Sequence, residues 1–197
     1  MQLRLRYALI YCMLFLSSYV YSQSRIQPIW SSLTSEKIWS PFEQKYKPLK
    51  DDGRLQVIIL LSTECPMCIS YSRTIEALNQ QYASQINFYG VFPGRTYSDK
   101  QVNEFVSSYK LTIPVFIDPK MKLTKLLRAE VTPEAFLFDS SGTCIYRGAI
   151  DNWLVEIGKK KIKADEHFLQ NAIEQTLRGE QVAINFIKAQ GCLLNEY

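Results

Sequence analysis

The 197-residue sequence has a single histidine, His167, and no basic stripe interleaved with aromatic residues. The first absence leaves histidine-based zinc sites without ligands, and the second removes the electrostatic footprint of a nucleic-acid binder. Charge of either sign is not in large excess, with 23 Lys and Arg against 19 Asp and Glu. Two of those positives, Arg4 and Arg6, lie in a segment expected to be removed, so the remainder is near neutral. Repeats and low-complexity stretches are also missing. With 47% hydrophobic and 21% charged residues the chain has ordinary globular composition, enough for one domain with a sizeable core, and disorder, collagen and coiled coil are excluded. A long apolar run is lacking too, since Tyr7 to Leu16 falls short of the roughly 20 residues of a membrane-spanning helix. Preceded by Arg4 and Arg6 and followed by Ser17-Ser18-Tyr19-Val20-Tyr21-Ser22, that run reads as a secretory signal peptide over residues 1–22, with an uncleaved anchor as the alternative. The expected location is periplasmic or otherwise extracytoplasmic, with membrane attachment only if the segment stays on.

Cysteine is what the sequence does have. Cys12 lies in the apolar run without the small residues that a lipoprotein site needs before it, which leaves Cys65, Cys68, Cys144 and Cys192. An even count in an exported chain permits disulfides, because compartments beyond the inner membrane are oxidising. Their spacing is uneven, however. Cys65-Pro66-Met67-Cys68 is a close pair, and Cys144 and Cys192 stand alone. A chain this long does not need a disulfide framework, so the close pair calls for a chemical explanation.

Residues 23–50 are polar and aromatic with Pro28, Pro41 and Pro48 and no sustained period, and read as an extension packed on a domain spanning residues 51–197. Leu55 to Leu61 is a nearly continuous apolar, β-branched run, the pattern of a central strand covered on both faces. Ile69, Tyr71, Ile75, Leu78 and Tyr82 then recur at helical spacing, so a helix is expected to begin at the cysteines. Further on, Ile86 to Phe92 reads as a strand, Asp99 to Tyr109 as a helix, Pro114 to Asp118 as a short strand and Met121 to Arg128 as a short helix. Alternation of strands and helices predicts an α/β sheet with parallel pairs. Glu134 to Asp139 and Thr143 to Ile150 read as a hairpin turned by Ser140-Ser141-Gly142, and after a Lys-rich loop Asp165 to Arg178 reads as a last helix stopped by Gly179.

In order and spacing, Ser62-Thr63-Glu64-Cys65-Pro66-Met67-Cys68, Val131-Thr132-Pro133-Glu134-Ala135-Phe136, Tyr146-Arg147-Gly148-Ala149-Ile150-Asp151-Asn152 and Gly191-Cys192 resemble the thioredoxin-like redoxin superfamily. The resemblance is to its alkyl hydroperoxide reductase and thiol-specific antioxidant grouping, particularly exported thiol-disulfide oxidoreductase-like members. It implies an α/β thioredoxin-like fold, with a mixed central sheet flanked by helices, and an enzyme that exchanges disulfides without a cofactor. Its partners would be protein or small-molecule disulfides and an unidentified redox partner.

The chemistry suits the position. A first thiol at a helix start meets unpaired backbone N–H groups and the positive end of the helix dipole, which favour a thiolate. Cys65 is thus the candidate nucleophile and Cys68, one turn later, the resolving thiol, the two forming a redox-active disulfide. Pro66 tolerates the first turn because its missing N–H would be unpaired there. By resemblance, Thr132-Pro133 is the residue and cis-proline facing the dithiol, where the Thr132 backbone would pair with a substrate strand. A trans proline starting a strand, and Pro114 in the same role, are the alternatives.

Other readings compete. Zinc at Cys65 and Cys68 lacks a second ligand pair, a Cu(I) module would use Cys65, Met67 and Cys68, and a purely structural disulfide would close too short a loop to stabilise much. No metal is expected. The chain departs from thioredoxin in having Glu64 where a Trp usually precedes the dithiol and no buried Asp in the preceding strand. Glu64, Glu130 and Glu134 are the carboxylates expected nearby. A peroxidatic pattern is half present, with Ser62 in place but Ile59 where proline is expected, and Arg73, Arg128 and Arg147 as candidate thiolate-stabilising cations. Cys144 reads as a buried apolar residue. Cys192 is either its disulfide partner or an extra thiol near the site, and His167 is read as a surface residue.

Overall fold

A computed structural model describes residues 29–156 and 158–194. The expected signal peptide over residues 1–22, with Cys12 inside it, and the start of the extension lie outside the described residues. The chain begins with α1 (Trp30–Thr34) and the short strands β1 (Ile38–Ser40) and β2 (Lys45–Lys47). A β-α-β-α-β run follows as β3 (Leu55–Leu60), α2 (Pro66–Tyr82), β4 (Ile86–Pro93), α3 (Asp99–Tyr109) and β5 (Val115–Asp118). Then come α4 (Lys122–Leu127), β6 (Val131–Thr132), β7 (Glu134–Phe138), β8 (Cys144–Gly148), the small hairpin β9 (Leu154–Glu156) and β10 (Lys159–Lys160), α5 (Phe168–Leu177), β11 (Phe186–Ile187) and β12 (Cys192–Leu193).

Among the described residues the main sheet has eight strands in the order β11-β8-β7-β3-β4-β5-β1-β2. Its centre is parallel through β3, β4 and β5, while β7 runs antiparallel to β3. Every residue of β3 is buried, and the pleat divides them. Val57 and Ile59 face a core shared with α2, α3 and α5, whereas Ile58 and Leu60 face a second core built with α1 and α4. A strand covered on both faces is apolar along its centre, which explains why Val57 to Leu60 reads as a run rather than an alternation, while the buried Gln56 near its start donates from Nε2 to the Arg54 carbonyl at 3.1 Å. Each such buried side chain contributes roughly 1.5–3 kcal/mol of burial free energy.

Helix boundaries follow local chemistry. The side chain of Ser98 accepts a hydrogen bond from the Gln101 N–H at 3.3 Å, and the Gln101 side chain accepts one from the Ser98 N–H at 2.9 Å, starting α3 with a capping box. The Asp118 carboxylate at the end of β5 accepts from the N–H groups of Lys122 and Thr124 and so starts α4. The last helix begins at Phe168 rather than Asp165, because the N–H groups of Asp165 and Glu166 are held by Asn152 Oδ1 at 3.1 and 3.2 Å. Gly179, at φ 73°, ends it.

Several segments are more structured than their pattern indicates, among them the Lys-rich loop, which forms the β9–β10 hairpin, and residues 186–187, which pair with β8 as β11. The extension adds β1 and β2 to the sheet beside β5, and Trp39 Nε1 donates to Asp99 Oδ1 at 2.7 Å at the start of α3. The C-terminal β12 lies antiparallel on β6, away from the main sheet.

Candidate active site

Strand β3 and the Ser62–Glu64 turn deliver Cys65 to the N-cap of α2, in extended conformation, with Pro66 as the first helical residue. Both cysteines of the pair are almost fully buried, at 1% exposure for Cys65 and 0% for Cys68, so the site presents its sulfur at the floor of a cleft. The Cys68 sulfur accepts a hydrogen bond from the Ser62 N–H at 3.3 Å. The Thr132–Pro133 peptide bond is cis, and in its thiol form Cys65 directs its S–H at the Thr132 carbonyl, 3.2 Å away. Dithiol and Thr132-Pro133 therefore face each other.

A third thiol joins them. In the β12–β6 pair Cys192 stands opposite Thr132, so the backbone edge expected to receive a substrate strand is occupied by the chain's own C-terminal strand. Cys192 lines the same cavity as Cys65 and packs against the core that holds the dithiol, so the thiol and backbone N–H of Cys68 and of Cys192 are the donors available near the Cys65 sulfur. These donors stabilise the thiolate, the Cys68 thiol most strongly, and against the opposing effect of burial they hold Cys65 down at about 5. The partners move the other way. Burial first, then the adjacent Cys65 charge, pushes Cys68 well above its ordinary value and Cys192 up to about 12. Near neutral pH the site holds one thiolate, on Cys65, flanked by two protonated thiols. Among the described residues no group of three or more His, Cys, Asp or Glu side chains is disposed to hold a metal ion.

The thiolate opens onto a cavity of about 890 Å³ whose wall includes Ser62, Glu64, Arg95, Tyr97, Thr132 and Cys192. Sequence reasoning misses Arg95 and Tyr97, since both sit in the Gly94–Ser98 turn after β4 and no local motif ties that turn to the dithiol. Tyr97 packs edge-on against Phe92, and burial raises its pKa. Of the three carboxylates expected nearby, Glu64 is exposed at the cavity wall. Glu134 is buried and takes a structural part, pairing with Arg147 at 2.8 Å and accepting the Glu130 N–H at 3.0 Å. It braces the turn into Pro133, and Glu130 itself is exposed.

The peroxide-linked candidates fare similarly. Arg147 is engaged with Glu134 and stacks on Phe136 and Phe186, Arg128 gives its carbonyl to Arg147, and Arg73 is exposed on α2. None of the three lines the cavity. Met67 is 2% exposed and packs in the same core as the dithiol. His167 is half-buried at the N-cap of α5. Of the two alternatives for Cys192, the disulfide with Cys144 is not formed. Both thiols are free, Cys144 packs in the core on the α1 and α4 face of the sheet, and Cys192 packs against the opposite core.

The Redoxin family profile matches residues 44–153. Solved structures of similar fold include a hypothetical protein from Sinorhizobium meliloti 1021, at 18% identity and a TM-score of 0.70 over 80% of this chain and 88% of that one. An uncharacterized conserved protein from Geobacillus kaustophilus matches at 16% identity and 0.67, over 82% and 88%. A secreted disulfide oxidoreductase from Mycobacterium tuberculosis matches at 15% identity and 0.50, over 57% and 82%. No curated protein matches the sequence.

Proposed function

The chain belongs to the Redoxin family and has a thioredoxin-like fold, and from that premise we propose that it is an extracytoplasmic thiol-disulfide oxidoreductase acting through Cys65 and Cys68. The observation that carries this reading is the placement of Cys65 at the start of α2, against the cis Thr132–Pro133 peptide bond and with Cys68 one turn further on. The thiolate attacks one sulfur of a substrate disulfide, the substrate S–S bond breaks, and one substrate thiolate leaves. Cys65 is then neutral, so the charge that kept the Cys68 proton in place is gone and its thiol ionises more easily. Cys68 attacks the Cys65 sulfur, expels the second substrate thiolate and leaves a 65–68 disulfide. Two electrons have passed to the substrate, and the reverse sequence oxidises a substrate dithiol.

Export is part of the proposal. It rests on the signal-peptide pattern of residues 1–22, and among the described residues no helix is long and apolar enough to cross a membrane. The Cu(I) reading would need Met67 as a ligand, and Met67 is packed in the apolar core.

The test is turnover of oxidised glutathione or a protein disulfide with dithiothreitol as electron source and no metal added. The wild-type chain is expected to turn over and Cys65→Ser to fall to background. Exchange that survives Cys65→Ser overturns the assignment, and rapid hydrogen peroxide consumption by Cys68→Ser would move the chain to the peroxide reductases, since one thiolate suffices to form a sulfenic acid.

A further inference from the structure

We propose that Cys192 is a third exchange thiol, which attacks Cys65 in the mixed disulfide and forms a Cys65–Cys192 disulfide that Cys68 then opens. The inference rests on the dithiol reading above and adds a residue from the far end of the chain to it.

Two features hold Cys192 there. β12 is in register with β6, Cys192 opposite Thr132 and Leu193 opposite Val131, and the Leu194 N–H donates to the Glu130 carbonyl at 2.9 Å just beyond the pair. Gly191 lets the strand approach, because a Cβ at that position would lie 2.3 Å from the Thr132 carbonyl oxygen. Cys192 is thereby set opposite Thr132, whose carbonyl lies 3.2 Å from the Cys65 sulfur, and it lines the same cavity as Cys65, at the edge where a paired substrate strand would carry its own disulfide. Leu193, by contrast, is 77% exposed, so apolar burial of the tail is not what seats the strand. Backbone pairing and the missing Cβ do.

The chemistry then follows from where charge sits. While Cys65 is a thiolate, both neighbouring thiols keep their protons as donors to it. Once Cys65 is tied in a mixed disulfide that charge is consumed, and the part of the rise at Cys192 that came from Cys65 disappears. Cys192 loses its proton to solvent at the cavity and attacks the Cys65 sulfur. The bond from Cys65 to the substrate sulfur breaks, the substrate leaves as a thiolate, and a Cys65–Cys192 bond forms. Cys68 next attacks the same sulfur and expels the Cys192 thiolate, which is reprotonated. The oxidant throughout is the substrate disulfide, and the two electrons it receives come from the protein's thiols.

The experiment uses the full chain carrying Cys68→Ser, reduced and then treated with excess oxidised glutathione. Released glutathione is counted, and disulfides are mapped by mass spectrometry after acid quenching and digestion. Two glutathione thiols released per chain and a Cys65–Cys192 linked peptide are expected. A Cys68→Ser, Cys192→Ser double variant is expected to release half as much and to keep glutathione on Cys65. If Cys68→Ser itself stays glutathionylated at Cys65 while Cys192 remains open to alkylation, Cys192 is only a packing residue and the proposal fails, leaving the dithiol reading intact. If Cys65 takes up no glutathione in either variant, the dithiol reading fails with it.

Discussion

Cys144 and Cys192 carry the same side chain, stand outside the Cys-x-x-Cys motif, and are both pushed up to about 12, yet they differ in everything that matters for chemistry. Cys144 owes its rise to burial against aromatic neighbours on the α1 and α4 face, and its S–H is spent on the Tyr146 carbonyl of its own strand at 3.4 Å. Cys192 is only half-buried, and besides burial its rise comes from the Cys65 thiolate nearby. A raised thiol pKa thus describes two opposite situations. In one no charge is wanted anywhere near, and in the other a charge is present on the next sulfur and will be consumed during reaction.

The largest expected contrast is in alkylation, and it reads that difference directly. At pH 7 a thiol near 5 is almost wholly ionised, while one near 12 is ionised in on the order of one chain in 10⁵. In the reduced protein, iodoacetamide should therefore label Cys65 first and Cys144 far more slowly, as followed by peptide mapping. Labelling of Cys65 should rise through about pH 5 and then level off, whereas labelling of Cys144 keeps climbing with pH. Because the folded value of Cys65 lies below its ordinary 9.0, the stability of the reduced state gains from it fully above pH 9 and loses that gain as pH falls toward about 5. Cys144 reacting as fast as Cys65 would erase the distinction.

A smaller effect should come from Gly191→Ala, which breaks the proximity of Cys192 without touching a sulfur. Its Cβ would meet the Thr132 carbonyl oxygen at 2.3 Å, so β12 must lift. In a Cys68→Ser background the Cys65–Cys192 disulfide should form about tenfold or more slowly, since a displacement on the order of 1 Å can cost an intramolecular step up to about 10²-fold. An unchanged rate would mean that β12 does not position Cys192. The smallest effect belongs to Cys144→Ala. Loss of one buried sulfur should lower stability by about 1 kcal/mol in urea denaturation and leave disulfide exchange at the wild-type rate. A drop in exchange would put Cys144 back into the chemistry.

Much of the architecture is legible in the amino-acid pattern. β3, α2, β4, α3, β5, α4, β7, β8 and α5 all stand where periodicity and breakers put them, within a few residues. The extension is less legible because three-residue strands such as β1 and β2 are too short to show a period, and their edge position is defined by partners elsewhere. The two-residue β12 has no period at all. At the site, Cys65 and Cys68 are legible as a pair, while Glu134 is legible only as a carboxylate near the dithiol, not as the partner of Arg147.

What the sequence determined by itself is whatever depends on neighbours along the chain. A thiol placed before Pro66 at the start of an apolar-periodic helix meets a helix N-terminus wherever the rest of the protein goes, and an unbroken apolar run such as Leu55 to Leu61 must be covered on both faces. Only the tertiary structure decided which side of the sheet Cys144 lies on, that Arg95 and Tyr97 wall the same cavity as Cys65, and that the chain's last strand brings Cys192 to Thr132. Those outcomes depend on strand register and on contacts between residues far apart in sequence. A one-residue slip of register turns a side chain to the other face, and no local pattern around a lone cysteine records which face that is.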